Sequence, residues 1–156
     1  MLLTMVTEQC PFKLRTEHLC TIHCHHDRIV LRPQRTSEEQ HDCHTKQLLS
    51  CIDRVSLIVS EKLKSPLRCV IGDGEIDITT KTAIGTAHDC CPVEGSGGGL
   101  EIGFNNKYMM DALKAAPMDQ VTLELSSPIT PCIIVPAEGE ENFLFMVLPV
   151  RLKADY

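Results

Sequence analysis

Histidine and cysteine crowd one end of this chain. Six of the seven histidines (His18, His23, His25, His26, His41 and His44) and four of the nine cysteines fall within the first 44 residues. Cys20 and Cys24, with His41 and His44, make a crude Cys2His2 set, and His23, His25 and Cys43 are further donors. Thiolate and imidazole are the ligands a structural zinc ion takes. The hydrophobic frame that a zinc finger needs at set positions does not accompany them. No metal or other cofactor is therefore expected, and a zinc-dependent regulatory protein working through this cluster stands as the alternative reading. Elsewhere, His88-Asp89-Cys90-Cys91 sets a base, an acid and two thiols side by side. Neighbours along a strand point to opposite faces, so the four do not converge as a triad. The loop from Gly95 to Gly99 lacks the following Lys-Ser/Thr of a phosphate-binding loop. Asp73, Glu75 and Asp77 imitate the start of a calcium loop, but they alternate along a predicted hairpin and no Glu follows at the twelfth position. They read as one solvated face, and no enzyme is expected.

The elements that position these residues begin in earnest at Thr45. Thr45 can cap a helix whose apolar positions Leu48, Ile52, Val55 and Val59 recur every three or four residues, with Leu49 beside them. Lys46, Ser50, Asp53 and Arg54 lie on its opposite face. Leu67 to Ile71 and Glu75 to Thr79 flank Gly72-Asp73-Gly74, a hairpin signal. Residues 83 to 93 could form another strand, the glycines 95 to 99 a flexible loop, and Leu100 to Phe104 a short strand. Asn105 is a good N-cap for a second helix running to Ala116, where Pro117 stops it. Its polar side carries Asn106, Lys107, Asp111 and Lys114. Gln120 to Ser126, Pro131 to Val135 and Asn142 to Pro149 are strand-like. The order helix, three or four strands, helix, three strands is an α+β plan with two similar halves, each helix covering one face of antiparallel sheet.

Composition narrows the functional class. The chain's 156 residues amount to about one domain, and 43% hydrophobic against 23% charged residues can build a core. A net charge of −6 excludes a basic tail or a wholesale nucleic-acid-binding surface, so any contact with DNA must be local. No apolar run approaches the roughly 18 residues of a membrane span, Met1-Leu2-Leu3 does not open a secretory signal, and the odd, irregular cysteines suit reduced thiols in the cytoplasm.

Three blocks carry a resemblance. Gln47 to Ile58 (Gln-Leu-Leu-Ser-Cys-Ile-Asp-Arg-Val-Ser-Leu-Ile), Leu100 to Asn105 (Leu-Glu-Ile-Gly-Phe-Asn) with Tyr108 shortly after, and Phe145 to Leu152 (Phe-Met-Val-Leu-Pro-Val-Arg-Leu) resemble the third domain of the bacterial sliding clamp, the β subunit of DNA polymerase III. They occur in the family's order and separation over about residues 45 to 152. Such clamps hold three of these DNA-clamp domains per subunit and close head-to-tail dimers into a ring around duplex DNA, helices inside and sheets outside. This chain has room for one.

The resemblance implies a non-catalytic processivity factor and three surfaces. Lys46, Arg54, Lys107 and Lys114 fall on the helix faces that line the ring, where they would meet phosphates without reading bases. Asn105, Tyr108, Ile129, Pro131, Met146, Leu148, Pro149, Val150 and Arg151 fall on the third-domain wall of the cleft that takes linear motifs of the replicative polymerase, the clamp loader and repair proteins. Met and aliphatic side chains adapt to different anchors, and Asn105 and Arg151 can hold a peptide backbone or carboxylate. Leu57 and Ile58 match the third-domain side of the ring interface.

Residues 1 to 44 show no sustained period of 2 or 3.6 and none of the features expected of a preceding clamp domain. All nine glycines lie at Gly72 or later, a composition break that sets a boundary near Thr45. The expectation is a poorly structured, non-clamp segment over 1–44, such as an out-of-frame reading of upstream coding sequence produces, followed by the clamp domain over 45–156.

Overall fold

The structure, a computed structural model, describes residues 3–4, 20–25, 28–33, 39–59, 65–138 and 143–152. Along the chain run β1 (Leu3–Thr4), β2 (Cys20–His25), β3 (Arg28–Pro33), β4 (Glu39–His44), α1 (Thr45–Ser56), β5 (Leu67–Ile71), β6 (Glu75–Thr82) and β7 (Gly85–Pro92). They are followed by β8 (Glu94–Ser96), β9 (Leu100–Phe104), α2 (Asn106–Ala115), β10 (Gln120–Leu125), β11 (Cys132–Pro136) and β12 (Phe145–Val147). Two antiparallel sheets carry the domain, one ordered β1-β12-β11-β10-β4-β8 and the other β7-β6-β5-β9. Among the described residues β2 and β3 pair only with each other. The helices pack against one another, α1 also on β6 and β7 and α2 on β12. This is the α+β plan expected from the hydrophobic periods.

Those periods build the core directly. Leu67, Cys69 and Ile71 of β5, Ile76 and Ile78 of β6, and Val121, Leu123 and Leu125 of β10 alternate inward. Leu48, Cys51, Ile52 and Val55 of α1 and Met109, Ala112 and Leu113 of α2 meet them from the helix side. The two helix starts differ. Asn105 caps α2 through its side chain, which accepts from Lys107 N and Tyr108 N at 3.0 and 3.4 Å. At α1 the cap position is His44, with no side-chain bond, and Thr45 is the buried first helical residue rather than the expected cap. Thr45 N instead donates to Asp119 O at 2.9 Å, tying α1 to the loop after α2.

The boundary near Thr45 is corrected by β4. Glu39 to His44 lie between β10 and β8 as an interior strand of the larger sheet, paired over six positions with β10. His41, facing Leu123 across the ladder, is fully buried, and Cys43 is buried beside Val121. The domain therefore reaches back at least to Glu39. Its polar spelling, Glu-Gln-His-Asp-Cys-His, hides an alternation in which His41 and Cys43 face inward. The expected flexible loop is likewise partly strand: β8 lies on β4 because Gly95 has no side chain, a Cβ there falling 2.8 Å from His41 Nδ1.

Candidate peptide cleft and helix face

The residues of the expected cleft fall on the β10–β11 turn, on β12 and the segment after it, and at the start of α2. β12 pairs with β11 so that Phe145 and Val147 face Ile134 and Cys132 in the core, leaving Met146 beside Ile133 on the opposite face, half-buried. Beyond Val147 the chain turns onto β9. Pro149 bridges to Phe104, and Val150 N donates to Gly103 O at 2.8 Å. The closing segment thus lies against the strand that leads into Asn105 and α2, where Tyr108 is 37% exposed. Leu148 is 44% exposed, Pro149 and Val150 are half-buried, and Arg151 stands in solvent with no ion pair among the described residues. Pro131 directly precedes Cys132, the register partner of Val147, so it sits at the same end of the ladder as Leu148. Ile129, 79% exposed, tops the turn from Ser127 to Thr130, closed by Thr130 N donating to Ser127 O at 3.3 Å and Ser127 N to Thr130 Oγ1 at 3.0 Å. Pro128 at the second turn position presets its φ. Tyr108, Ile129 and Leu148 thus expose apolar side chains along these segments as a ledge.

Gly103, part of the Gly-Phe-Asn entry to α2, holds this edge together. A Cβ there would fall 2.6 Å from Val150 O and 2.8 Å from Leu152 Cδ2. The signal was a glycine inside an apolar strand, which marks close backbone approach.

The four expected cations lie on the two helices, α1 and α2, in two different states. Lys46 Nζ donates to Asp119 Oδ1 at 2.7 Å, and Arg54 Nε to Asp89 Oδ2 at 2.7 Å. Arg54 Nη1 also reaches Ser50 Oγ at 2.6 Å, and Nη2 the Cys51 sulfur at 3.2 Å. The hydrogen bond from Lys46 pulls the Asp119 carboxyl below its ordinary value, and that from Arg54 does the same to Asp89. Lys107 and Lys114 are exposed on α2 and make no ion pair among the described residues. At the end of α1, Leu57 is 81% exposed and Ile58 half-buried. An exposed leucine just past an amphipathic helix leaves apolar surface for a neighbour.

The two histidines of the candidate metal set do not converge. His41 and His44 point to opposite faces of β4, one buried and one exposed, while Cys20 and Cys24 belong to β2, in a different sheet. Among the described residues no three His, Cys, Asp or Glu side chains are placed to hold an ion. Among the described residues neither ring nitrogen of His41 makes a hydrogen bond, and Nε2 lies 3.6 Å from Glu39 Oε2. The thiols are packing groups: burial pushes Cys43, Cys69 and Cys91 up to about 12, and Cys132 upward as well. Asp73 and Glu75 are exposed and Asp77 is half-buried, all three along the β5–β6 hairpin, and Asp77 Oδ1 lies 2.9 Å from His88 Nε2.

Paired helices packed over two antiparallel sheets give the architecture of a DNA-clamp domain. The family model described as DNA polymerase III beta subunit, C-terminal domain, matches residues 33–151, and the chain belongs to this family. It is 38% identical over 104 residues to the beta sliding clamp of Staphylococcus aureus (strain Mu50) and 34% over 102 residues to that of Staphylococcus epidermidis, each match covering 64% of this chain and 27% of the relative. Among solved structures, a putative DNA polymerase III beta subunit from Eubacterium rectale superposes with a TM-score of 0.70 at 32% identity, covering 75% of this chain and 31% of that one. The β subunit from Thermotoga maritima gives 0.70 at 26%, covering 76% and 32%. The chain thus spans about a quarter of the length of the curated relatives it matches.

Proposed function

We propose that residues 39–152 act as the C-terminal domain of a sliding clamp, a non-catalytic processivity factor for the replicative polymerase. The observation that supports this reading is the docking of the closing segment on β9, where Val150 N donates to Gly103 O and Pro149 bridges to Phe104, at the end of the strand that leads into Asn105 and α2. Asn105, Tyr108, Ile129, Pro131, Met146, Leu148, Pro149, Val150 and Arg151 form one wall of a cleft for linear motifs of polymerase, clamp-loader and repair proteins. A preceding clamp domain would supply the other wall, so the affinity of this chain is far below that of an intact clamp. Lys46, Arg54, Lys107 and Lys114 face duplex DNA through phosphates alone, and Leu57 and Ile58 meet the neighbouring subunit in a head-to-tail ring.

Titration of the chain with a fluorescently labelled clamp-binding peptide tests the cleft. Met146→Ala and Arg151→Ala each weaken binding several-fold, since each removes an anchor contact from a half-open site. Detectable binding that neither substitution changes would show that the peptide sits elsewhere.

A further inference from the structure

The two helices present their cations in opposite ways. On α1, Lys46 is taken by Asp119 and Arg54 by Asp89. Neither carboxylate belongs to α1: Asp119 lies in the loop between α2 and β10, and Asp89 on β7. Both are fixed by a further contact, Asp119 through its carbonyl on Thr45 N and Asp89 through Oδ1, which accepts from Cys90 N at 2.9 Å. Arg54 is held down twice more, by Ser50 and by the Cys51 sulfur. On α2, Lys107 and Lys114 are exposed and have no such partner among the described residues. A carboxylate and a phosphate oxygen make the same charge-assisted bond to a guanidinium or ammonium group, so they compete for it.

We propose that Asp89 and Asp119 are built-in competitors for phosphate, which withhold the two cations of α1 so that contact with duplex DNA falls mainly on Lys107 and Lys114 of α2. This rests on the reading of the helix face as DNA-facing. Its consequence is a deliberately weak surface. A clamp face that slides needs phosphate contacts that exchange readily, and a resident carboxylate lowers the net gain from each new contact. Arg54, anchored by three partners, is withheld more firmly than Lys46, whose one partner among the described residues is an exposed carboxylate.

The test uses the full chain and a labelled duplex of random sequence, with binding followed as a function of salt. Asp89→Asn with Asp119→Asn keeps the side-chain shapes, frees both cations, and is expected to tighten binding roughly tenfold at low salt and steepen the salt slope by about 0.9 per freed cation. Asp73→Asn with Glu75→Gln makes the same change in net charge at the exposed β5–β6 turn and serves as the control. Lys107→Ala with Lys114→Ala abolishes most of the wild-type binding. Equal gains in the control and the Asp89/Asp119 variant, or no gain in either while the lysine variant still loses binding, overturn the competitor assignment alone. An absence of salt-sensitive binding in every form removes the DNA-facing reading and this inference with it.

Discussion

Gly103→Ala tests whether the cleft edge is built by close backbone approach. The new Cβ falls 2.6 Å from Val150 O, where ordinary contact begins at 3.4 Å, so the closing segment must retreat by about 0.8 Å. Retreat stretches the 2.8 Å bond from Val150 N to Gly103 O, a loss of about 1 kcal/mol. Crowding against Leu152 adds about 1–3 kcal/mol, while replacing a strand glycine returns about 0.5–1 kcal/mol through the unfolded chain. The net expectation is a destabilisation of about 2 kcal/mol and a Tm lower by roughly 6–10 °C. Urea denaturation and thermal melting measure it, and peptide titration reports on the ledge, whose affinity falls with the displacement of Leu148 to Arg151. Gly98→Ala is the internal control, because a Cβ there meets nothing closer than 3.8 Å and its backbone is unstrained. If Gly103→Ala matches the wild type within about 0.5 kcal/mol and binds peptide equally well, the close-approach argument is refuted.

Two further predictions concern the same edge and the sheet behind it. Asn105→Ala removes the side-chain acceptor of Lys107 N and Tyr108 N and is expected to lower stability by about 1 kcal/mol in urea, with faster amide exchange in the first turn of α2, whereas Asn105→Asp keeps both. Arg68 grips Glu101 with two bonds of 2.8 and 3.0 Å, and the first effect of that grip is to hold the Glu101 carboxyl below its ordinary value. A carboxyl lowered by folding stabilises the fold at neutral pH, and its contribution fades as pH falls through the lowered value. Glu101→Gln should therefore lose less stability than the wild type between neutral pH and about pH 3, measured as the shift in urea midpoint. The pair is partly solvated, so the difference is small but its sign is fixed.

Residue patterns alone specified both helices, the β5–β6 hairpin, the strands after α2 and the α+β class, because each element buries one face and writes its period into the chain. Asn105 and Pro117 marked the ends of α2 by local chemistry that depends on no distant partner. The ledge residues are assigned to a cleft by the resemblance to clamps alone, whereas the docking of the closing segment on β9 depends on Gly103 meeting Val150, far apart in sequence. β4 escaped notice because tertiary context overrode its polar spelling: an interior strand can bury a histidine and a cysteine when a partner strand offers glycine opposite. The state of the cations was likewise decided by the tertiary fold. Lys46, Arg54, Lys107 and Lys114 look alike along the chain, yet Asp119 and Asp89 arrive from other elements to hold two of them, and only folding brings those charges within reach.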